Sequence, residues 1–510
     1  MASSGAVGYI KIWTIGVAAM VAVISKADNV YIRVNASREV RSALETQFAR
    51  FVKGYRFQPK YKEGLWDGKI RFYSATSGLI YAGLIHDVIE QLQSLGEKPT
   101  FEDGVKEMFK GFDPSEYLDS LELSAHGNRI EFRDYQKAAI KAALKQSRRL
   151  IQSPTSSGKS SVIYGIVRTL LDVEFDREKV LVVVPNISLV NQLKADFKDY
   201  STLNGWDVEA NVSVSTSKDK DKFVKVRNVL ITTWQSIYKL DREWFDQFGA
   251  LIVDEVHQAT AKSLVEIGKK CQARYRIGLS GSIDSDDTTS EMTLRGLFGA
   301  KYVATTTKDL MAEGTVAQLN VVGVQCQWGH VGLKGDYQHE IKWLAKQQMR
   351  NDLIVNKANE LKGNVLILFS LVEAHGKVLQ KMADGAGKEV FFVYGGVDGE
   401  ERERIRKLAE SHKGCIILAS YQTFSTGINI RNINHIIFAS PTKSFTRVIQ
   451  SIGRGLRTSE RKTHCTVWDV FDEIDGGKNY TYKHFLERVE IYIKEGFEYD
   501  VQQLELKAND

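Results

Sequence analysis

Small residues, a lysine and a hydroxyl stand between an apolar strand pattern and an apolar helix pattern near residue 150. The run is Ser153-Pro154-Thr155-Ser156-Ser157-Gly158-Lys159-Ser160. In a phosphate-binding loop, backbone N–H groups and the helix dipole hold phosphates, the lysine reaches the outer phosphates and the hydroxyl binds magnesium. Because Ser153 replaces the first glycine of the strict motif, a serine-rich turn that caps an ordinary helix is the competing interpretation. The candidate ATP-binding residues are Ser153, Thr155, Ser157, Gly158, Lys159 and Ser160.

An acidic pair follows a second apolar strand. The strand Leu251-Ile252-Val253 leads into Asp254-Glu255-Val256-His257, and open α/β sheets bind ligands at the carboxyl ends of their strands. We expect Asp254 to hold magnesium together with Ser160, and Glu255 to accept a proton from an attacking water. Two acids after a strand also occur as helix caps. Because the acidic pair lies downstream of a phosphate loop, the pattern favours nucleotide hydrolysis, and His257 is a further candidate catalytic residue.

Composition describes an ordinary globular protein of several domains. The 510 residues carry a net charge of +6 and four widely spaced cysteines, so no zinc or iron–sulfur site is indicated and a reducing, cytoplasmic location is expected. The apolar stretch 12–24 is shorter than the about 20 residues that span a bilayer, so no membrane association is expected. Residues 1–19 are interpreted as a non-native or disordered extension, with translation starting at Met20; a signal peptide is the alternative.

Alternating apolar strands and helices divide the rest of the chain. We predict a small α/β module over 20–125, a first lobe over 126–315, a linker over 316–345, a second lobe over 346–475 and a C-terminal helical segment over 476–510. Strands separated by helices indicate doubly wound parallel sheets. The expected strands are 150–152, 180–184, 229–232, 250–253 and 275–279 in the first lobe, and 364–369, 389–393, 415–419, 435–438 and 463–470 in the second.

The small module contains a segment rich in basic and aromatic residues. Asp67-Gly68 predicts a hairpin between strands at 55–61 and 69–73, after a helix over 38–53. Basic side chains neutralise phosphates and rings stack on bases, which is how single strands are bound. Alternation equally predicts rings packed on one sheet face and charges in solvent on the other. The candidate nucleic-acid-binding residues are Arg56, Lys60, Lys62 and Trp66.

With these motifs in this order, residues 130–470 resemble the superfamily 2 nucleic-acid helicases of the DExH type. The resemblance implies an α/β fold of two RecA-like doubly wound parallel-sheet lobes, with the small α/β module before them and a helical segment after them. It assigns adenine recognition to Arg133, Tyr135 and Gln136. Ser280-Gly281-Ser282 stands where Ser-Ala-Thr is commoner. Contacts to the nucleic-acid backbone are implied for Pro185, Asn186, Gln192, Thr232, Thr233, Ser370, Ser425 and Thr426.

The run Gln450-Ser451-Ile452-Gly453-Arg454-Gly455-Leu456-Arg457 resembles the last motif of that family. Gln450, Arg454 and Arg457 are therefore candidate catalytic residues. The two arginines lie three apart on one helical face, so both guanidinium groups can reach across a cleft toward ATP held by the first lobe. An arginine supplied in this way stabilises the transferring phosphoryl group by about a thousandfold or more in rate.

A narrower resemblance, to the phage recombination helicases, covers the chain after Met20. It rests on Gly54-Tyr55-Arg56-Phe57, Trp66-Asp67-Gly68-Lys69-Ile70 and Ala419-Ser420-Tyr421. It implies a monomeric enzyme, dependent on ATP and Mg²⁺, that moves 3′ to 5′ and remodels single-stranded, forked and four-way-junction DNA and RNA–DNA loops in the host cytoplasm. Single-strand-binding or recombination proteins are the implied protein partners. Two alternatives remain: a duplex translocase that does not separate strands, and a strand-binding or annealing protein with ATP as a switch.

Overall fold

The computed structural model describes residues 21–215, 226–258, 261–283, 288–385, 387–427, 430, 432–442, 444, 448, 451–453 and 462–508. The predictions for residues 1–19 and for Gln450, Arg454 and Arg457 lie outside this part of the chain. The chain divides into a first unit over 1–109 and a second over 110–510. Within the described ranges, no helix is both long and apolar enough to cross a membrane.

The first unit is built on a four-stranded sheet in the order β5-β2-β1-β6. β1 pairs antiparallel with β2 and parallel with β6. Ile24, Ile32 and Val34 are buried on the face covered by helices. The strands are β1 (Val23–Lys26), β2 (Tyr31–Asn35), β3 (Ala49–Phe51), β4 (Lys69–Arg71), β5 (Leu79–Tyr81) and β6 (Thr100–Phe101), and the helices are Arg38–Gln47, Pro59–Lys62, Ile85–Ser94 and Val105–Phe109.

The hairpin predicted in this unit has a different first strand. β4 pairs antiparallel with β3, whereas Tyr55–Phe57 forms a 3₁₀ turn and Pro59–Lys62 a short helix. The predicted strand over 55–61 is therefore wrong, and the preceding helix ends at Gln47 rather than Lys53. Gly54 turns the chain at a φ of +74°, and Pro59 has the fixed φ that suits the first turn of a helix.

The first lobe of the second unit holds a seven-stranded sheet in the order β11-β12-β10-β13-β14-β9-β15, with every pairing parallel. Helices cover both faces, so the strands are continuous apolar runs, such as Lys-Val-Leu-Val-Val-Val in β10. The strands are β9 (Arg148–Gln152), β10 (Lys179–Val184), β11 (Val212–Ser215), β12 (Val229–Thr233), β13 (Phe248–Val253), β14 (Tyr275–Ser280) and β15 (Lys301–Val303). A small hairpin of β7 (Leu123–Ala125) and β8 (Asn128–Ile130) precedes them.

The helices of this lobe connect successive strands across the sheet. Two of them begin near the carboxyl ends of β9 and β10, and they are Lys159–Thr169 and Ile187–Tyr200. The others are Ser115–Ser120, Asp134–Lys145, Val208–Asn211, Trp234–Ile237, Arg242–Phe245, Ala261–Lys270, Thr288–Phe298 and Thr307–Ala312.

The second lobe repeats this architecture with the order β18-β19-β17-β20-β21-β16-β22, again all parallel. The predicted fold class, two doubly wound parallel-sheet lobes with a small α/β module, is confirmed. The strands are β16 (Gln318–Gln327), β17 (Asn364–Phe369), β18 (Glu389–Val393), β19 (Cys415–Ser420), β20 (Ile433–Phe438), β21 (His464–Glu473) and β22 (Glu498–Glu505). The helices are Tyr337–Ala345, Gln348–Glu360, Lys377–Ala383, Gly399–Ser411, Tyr421–Gly427 and Tyr480–Glu495.

Two segments belong to this sheet against expectation. The predicted linker over 316–345 contains β16, and the predicted helical C-terminal segment contains β22 after its helix. The sequence pattern does not predict β16 because a glycine interrupts its apolar residues; a Cβ at Gly323 would come within 3.2 Å of the Phe471 and Phe485 rings, a tight contact. Every residue of β22 is exposed, so the strand is held by backbone pairing to β16 and has no apolar face for a sequence pattern to reveal.

Buried ion pairs fix the loop that follows β20. Both Asp469 oxygens accept hydrogen bonds of 2.8 Å from the Arg488 guanidinium, which also donates to the Thr442 carbonyl at 2.9 Å. Arg350 donates from Nε to both Asp472 oxygens, at 2.9 and 3.0 Å, and from Nη1 to the Ala439 carbonyl. These arginines tie residues 439–442, which lead toward the run Gln450–Arg457, to the end of β21.

Replacing Asp469 with asparagine should lower the stability of the second lobe. The change leaves the Arg488 charge buried without its counter-charge, a loss of about 3–5 kcal/mol. Glu401→Gln removes a carboxylate from the exposed Glu401–Arg404 pair and should cost less than about 1 kcal/mol. Guanidinium unfolding followed by circular dichroism compares the two variants. Equal shifts of the unfolding midpoint would contradict the structural role of the buried pair.

Candidate active site

The run 153–158 forms a closed loop between β9 and the helix that starts at Lys159. Ser156 and Gly158 adopt φ values of +71° and +80°. The Ser157 hydroxyl donates to the Pro154 carbonyl at 2.7 Å, and the Ser153 hydroxyl lies 2.7 Å from that of Ser157. Ser153 therefore contributes a hydrogen bond that holds the loop closed, where the strict motif has a glycine without a side chain.

The stretch 133–136 is attached to the same loop. The Gln136 side chain donates to the Ser157 carbonyl at 2.8 Å and accepts from the backbone N–H of Arg133. The Tyr135 hydroxyl also donates to the Ser157 carbonyl, at 2.9 Å, and accepts from Arg133. The structure thus brings together the sequence-predicted residues Arg133, Tyr135 and Gln136 with the phosphate loop.

The acidic pair lies across from the loop lysine. Lys159 Nζ is 3.2 Å from Glu255 Oε1, and it also donates to the Ser153 carbonyl at 3.4 Å. Glu255 has a φ of +48°, a region that a residue with a side chain adopts at a cost of about 1–3 kcal/mol. This backbone turns the carboxylate back toward Lys159 and away from the path of the chain.

The two carboxylates differ in charge state because their surroundings differ. Burial and the neighbouring Glu255 charge raise the pKa of Asp254 to about 7. For Glu255, burial is outweighed chiefly by the charge and hydrogen bond of Lys159, which lower its pKa. Burial lowers the pKa of His257, so its imidazole is neutral near pH 7. Glu255 is therefore ionised near pH 7, where the Asp254 carboxyl is partly protonated.

Residues 280–282, after β14, connect the loop to the acids. The Ser280 carbonyl accepts from the Ser153 N–H at 2.9 Å, and its hydroxyl lies 2.6 Å from His257 Nδ1. The Gly281 N–H donates to Glu255 at 3.4 Å. A side chain at Gly281 would come within 3.3 Å of Lys159 Nζ. β14, which lies between β9 and β13, thus positions both the phosphate loop and the acidic pair.

The residues also suit a magnesium ion. The Ser160 hydroxyl stands in the first helical turn, and Asp254 is a half-buried carboxylate whose pKa is raised by burial and by the Glu255 charge. Hydroxyl and carboxylate oxygens are the ligands that Mg²⁺ prefers. No group of three or more histidines, cysteines or acids that could hold a metal occurs within the described ranges. The protein ligands would therefore be few, as is usual where phosphate oxygens and waters complete the shell.

The second lobe contacts the loop directly. The Ser156 hydroxyl donates to the Gly453 carbonyl at 3.3 Å, and a side chain at Gly453 would collide with Thr155. Gly453 lies within the run Gln450–Arg457. Part of that run therefore touches the phosphate loop of the first lobe. The Tyr135 ring also packs against the core of the second lobe.

The residues predicted to touch nucleic acid have different surroundings. Gln192 and Ser370 are exposed, and the Asn186 side chain caps a helix by accepting from the Leu189 N–H. Thr232 is buried and its hydroxyl donates to the Ser215 carbonyl. The Thr233 hydroxyl pairs with that of Ser236. Pro185 accepts from Gln235 through its carbonyl, whereas Ser425 and Thr426 lie in the helix Tyr421–Gly427.

In the first unit, Arg56, Lys60 and Lys62 are exposed, as are the large apolar side chains Phe57 and Leu65. Phe57 is 81% exposed, whereas the competing interpretation requires the rings to pack on a sheet face. Trp66 is half-buried and donates from its indole nitrogen to the Lys69 carbonyl.

Sequence patterns did not reveal Tyr200. Its hydroxyl lies 2.8 Å from the Ser160 hydroxyl, although the two residues are on different helices. Tyr200 ends the helix Ile187–Tyr200, and no local motif links that position to the phosphate loop.

Two parallel-sheet lobes, a phosphate loop and an acidic pair at the strand ends, with the second lobe against the loop, define a superfamily 2 helicase. Sequence families agree: residues 129–285 match the type III restriction enzyme res subunit, 345–459 the helicase conserved C-terminal domain and 23–98 the N-terminal domain of DNA helicase UvsW. The chain is 34% identical over 93% of its length, and 98% of the relative's, to the ATP-dependent DNA helicase UvsW of Enterobacteria phage T4. It belongs to the UvsW family of ATP-dependent DNA helicases.

Solved structures show the same architecture. The crystal structure of T4 UvsW matches 95% of this chain and 100% of its own, with 29% identity and a TM-score of 0.51. The fold is shared with Dbp5 of S. cerevisiae, bound to RNA and ADP BeF₃, at 12% identity and a TM-score of 0.52 over 74% of this chain and 91% of that one. The prediction of an ATP-dependent helicase is confirmed.

Replacing Gly158 with alanine should weaken ATP binding by about tenfold or more, since misplacing a site by about 1 Å costs up to a hundredfold. The new Cβ would collide with the Gln136 amide, and the φ of +80° would add strain. Gly127→Ala is the matched control, because Gly127 has a φ of +79° but open space around it. Calorimetric titration with ATP measures both. Similar losses in both variants would contradict the importance of the Gly158–Gln136 contact.

Proposed function

We propose that this helicase unwinds or branch-migrates branched DNA, including forks, four-way junctions and RNA–DNA loops, in phage recombination, repair and replication. The observation that carries the proposal is an exposed basic and aromatic segment in the first unit, which the chain carries in addition to a complete two-lobed motor. A motor that contacts only phosphate and sugar reads no sequence. A separate binding unit therefore offers a means of selecting branched structures.

Hydrolysis of ATP would depend on residues of the first lobe. Lys159 and the backbone of the loop would hold the β- and γ-phosphates, and Gln136 with Arg133 or Tyr135 would contact adenine. Glu255, kept ionised by Lys159, would accept the proton of the attacking water. We propose Ser160 and Asp254 as the protein ligands of Mg²⁺, which supplies positive charge at the phosphates.

Closure of the lobes would complete the site. Gly453 touches Thr155 and Ser156, so Gln450 precedes, and Arg454 and Arg457 follow, a point of contact with the phosphate loop. We propose that Arg454 and Arg457 stabilise charge on the transferring phosphoryl group. Because each lobe would hold the strand through its own backbone contacts, opening and closing would move the enzyme along DNA.

The strand contacts of the first lobe would come from exposed groups near Asn186 and Gln192, and from backbone groups around Thr232 and Thr233, whose hydroxyls are already engaged. Ser370, Ser425 and Thr426 would supply those of the second lobe. We propose that the enzyme acts as a monomer in the host cytoplasm, alongside single-strand-binding or recombination proteins.

The two alternative functions make different predictions. A duplex translocase hydrolyses ATP on DNA without displacing a strand, and an annealing protein keeps its activity when Lys159 is changed to alanine. The complete hydrolytic constellation of Lys159, Glu255 and His257 favours a motor over a switch.

The test of the proposed function compares strand displacement on forks, four-way junctions, RNA–DNA loops and plain duplex. The wild type should displace strands from the branched substrates faster than from plain duplex. Glu255→Gln should bind ATP and DNA but hydrolyse ATP at least about 100-fold more slowly, since a general base contributes that much or more. Exposed Glu243→Gln is the control and should behave as wild type. ATP hydrolysis without displacement would reject helicase action on these substrates.

Changing Arg56, Lys60 and Lys62 together to alanine should weaken binding to forks. The slope of log affinity against log salt concentration should fall in magnitude by about one for each phosphate contact that is lost. The control changes Arg38, Lys98 and Lys106, which are also exposed in the first unit but lie outside the segment. Fluorescence anisotropy at several salt concentrations measures both variants. If the control loses as much affinity as the segment variant, net charge rather than this segment governs binding.

A further inference from the structure

Ser160 shares its hydroxyl with a tyrosine from another helix. Tyr200 Oη lies 2.8 Å from Ser160 Oγ. The Tyr200 ring packs edge-on against Tyr164, with ring centroids 5.5 Å apart. Tyr164 lies one turn after Ser160, so this packing fixes the height of the Tyr200 ring along the helix. The hydroxyl contact is thus set by ring packing and does not depend on a mobile surface side chain.

A serine that binds a cation has a specific need. Its hydroxyl carries one proton and two lone pairs, so a lone pair can face the cation when the proton is donated elsewhere. The neighbouring Ser161 donates its proton to the Gly158 carbonyl, at 2.8 Å, which is the usual local choice in a helix. For Ser160, the carbonyl at the equivalent position is that of Ser157, which already accepts from Tyr135 and Gln136. Tyr200 Oη lies within hydrogen-bond distance of the Ser160 hydroxyl and can accept its proton in place of that carbonyl.

Tyr200 is the last residue of the helix that Asn186 caps. Through its contact with the Ser160 hydroxyl, Tyr200 connects the phosphate-binding segment to the helix that follows the expected nucleic-acid-contacting residues Pro185 and Asn186.

We propose that Tyr200 is a positioning residue that accepts the Ser160 proton and so directs a Ser160 lone pair at the divalent cation bound with the nucleotide. This inference rests on the proposed role of Ser160 as a magnesium ligand. It concerns metal binding only and does not alter the proposals for DNA binding or for Glu255 as the general base.

The test measures how much a divalent cation strengthens nucleotide binding. ADP affinity is determined by calorimetry with Mn²⁺ and with EDTA, and the ratio of the two gives the coupling between metal and nucleotide. Tyr200→Phe keeps the ring and removes the acceptor. The ratio should fall about tenfold, which is the lower range for loss of an outer-shell partner, while the affinity in EDTA stays unchanged. The Mg²⁺ concentration for half-maximal ATPase should rise correspondingly, and excess Mg²⁺ should restore most of the lost rate.

Two comparisons separate positioning from packing. Tyr164→Phe removes a hydroxyl of the same aromatic cluster that bonds to Arg168 and Asn204 instead, so it should leave the metal–nucleotide ratio unchanged even where it lowers the melting temperature. In a Ser160→Ala background, Tyr200→Phe should cause no further loss. An unchanged ratio in Tyr200→Phe, or an equal loss in the Ser160→Ala background, would overturn the proposal.

If Mn²⁺ does not strengthen ADP binding to the wild type, the magnesium ligands and this inference both fail. Strand displacement by the wild type would in that case still uphold the helicase.

Discussion

The ion pair between Lys159 and Glu255 joins the two halves of the site. At 3.2 Å, the ammonium faces a carboxylate that arrives from a different strand, and the pair lies where both groups are largely shielded from water. Such a pair is costly to assemble unless other bonds hold its members. Here the Ser153 carbonyl, the Gly281 N–H and His257 supply those bonds. The pair keeps Glu255 ionised and holds Lys159 beside the loop in which a phosphate would sit.

Sheet order makes this arrangement possible. β14 lies between β9 and β13, so Ser280 and Gly281 reach the phosphate loop on one side and the acids on the other. Parallel strands bring all three carboxyl ends to one edge. The second lobe uses the same principle, with buried Arg350 and Arg488 tying residues 439–442 to the end of β21. The segment that meets the phosphate loop at Gly453 is thereby connected to a rigid sheet.

The prediction of the fold succeeded where strands are buried on both faces. β10, β13, β17 and β19 are apolar runs because helices cover them, and such runs are visible in a sequence. It failed at β16, β22 and the segment 55–62. β22 and the segment 55–62 depend on backbone pairing to a distant strand or on single turn residues, whereas the apolar pattern of β16 is broken at Gly323.

The sequence alone determined the chemistry of this protein, because phosphate binding and hydrolysis need particular residue types at short, fixed spacings: Gly158, Lys159 and Ser160 in one run, and Asp254 with Glu255 in another. The tertiary structure decided how these runs meet. Glu255, with its positive φ, meets Lys159. Gly453 contacts Thr155, and the Tyr200 hydroxyl lies beside that of Ser160. Each of these contacts joins residues that are far apart in the chain. Such pairings arise from sheet order and helix packing, which no local spacing of residues encodes.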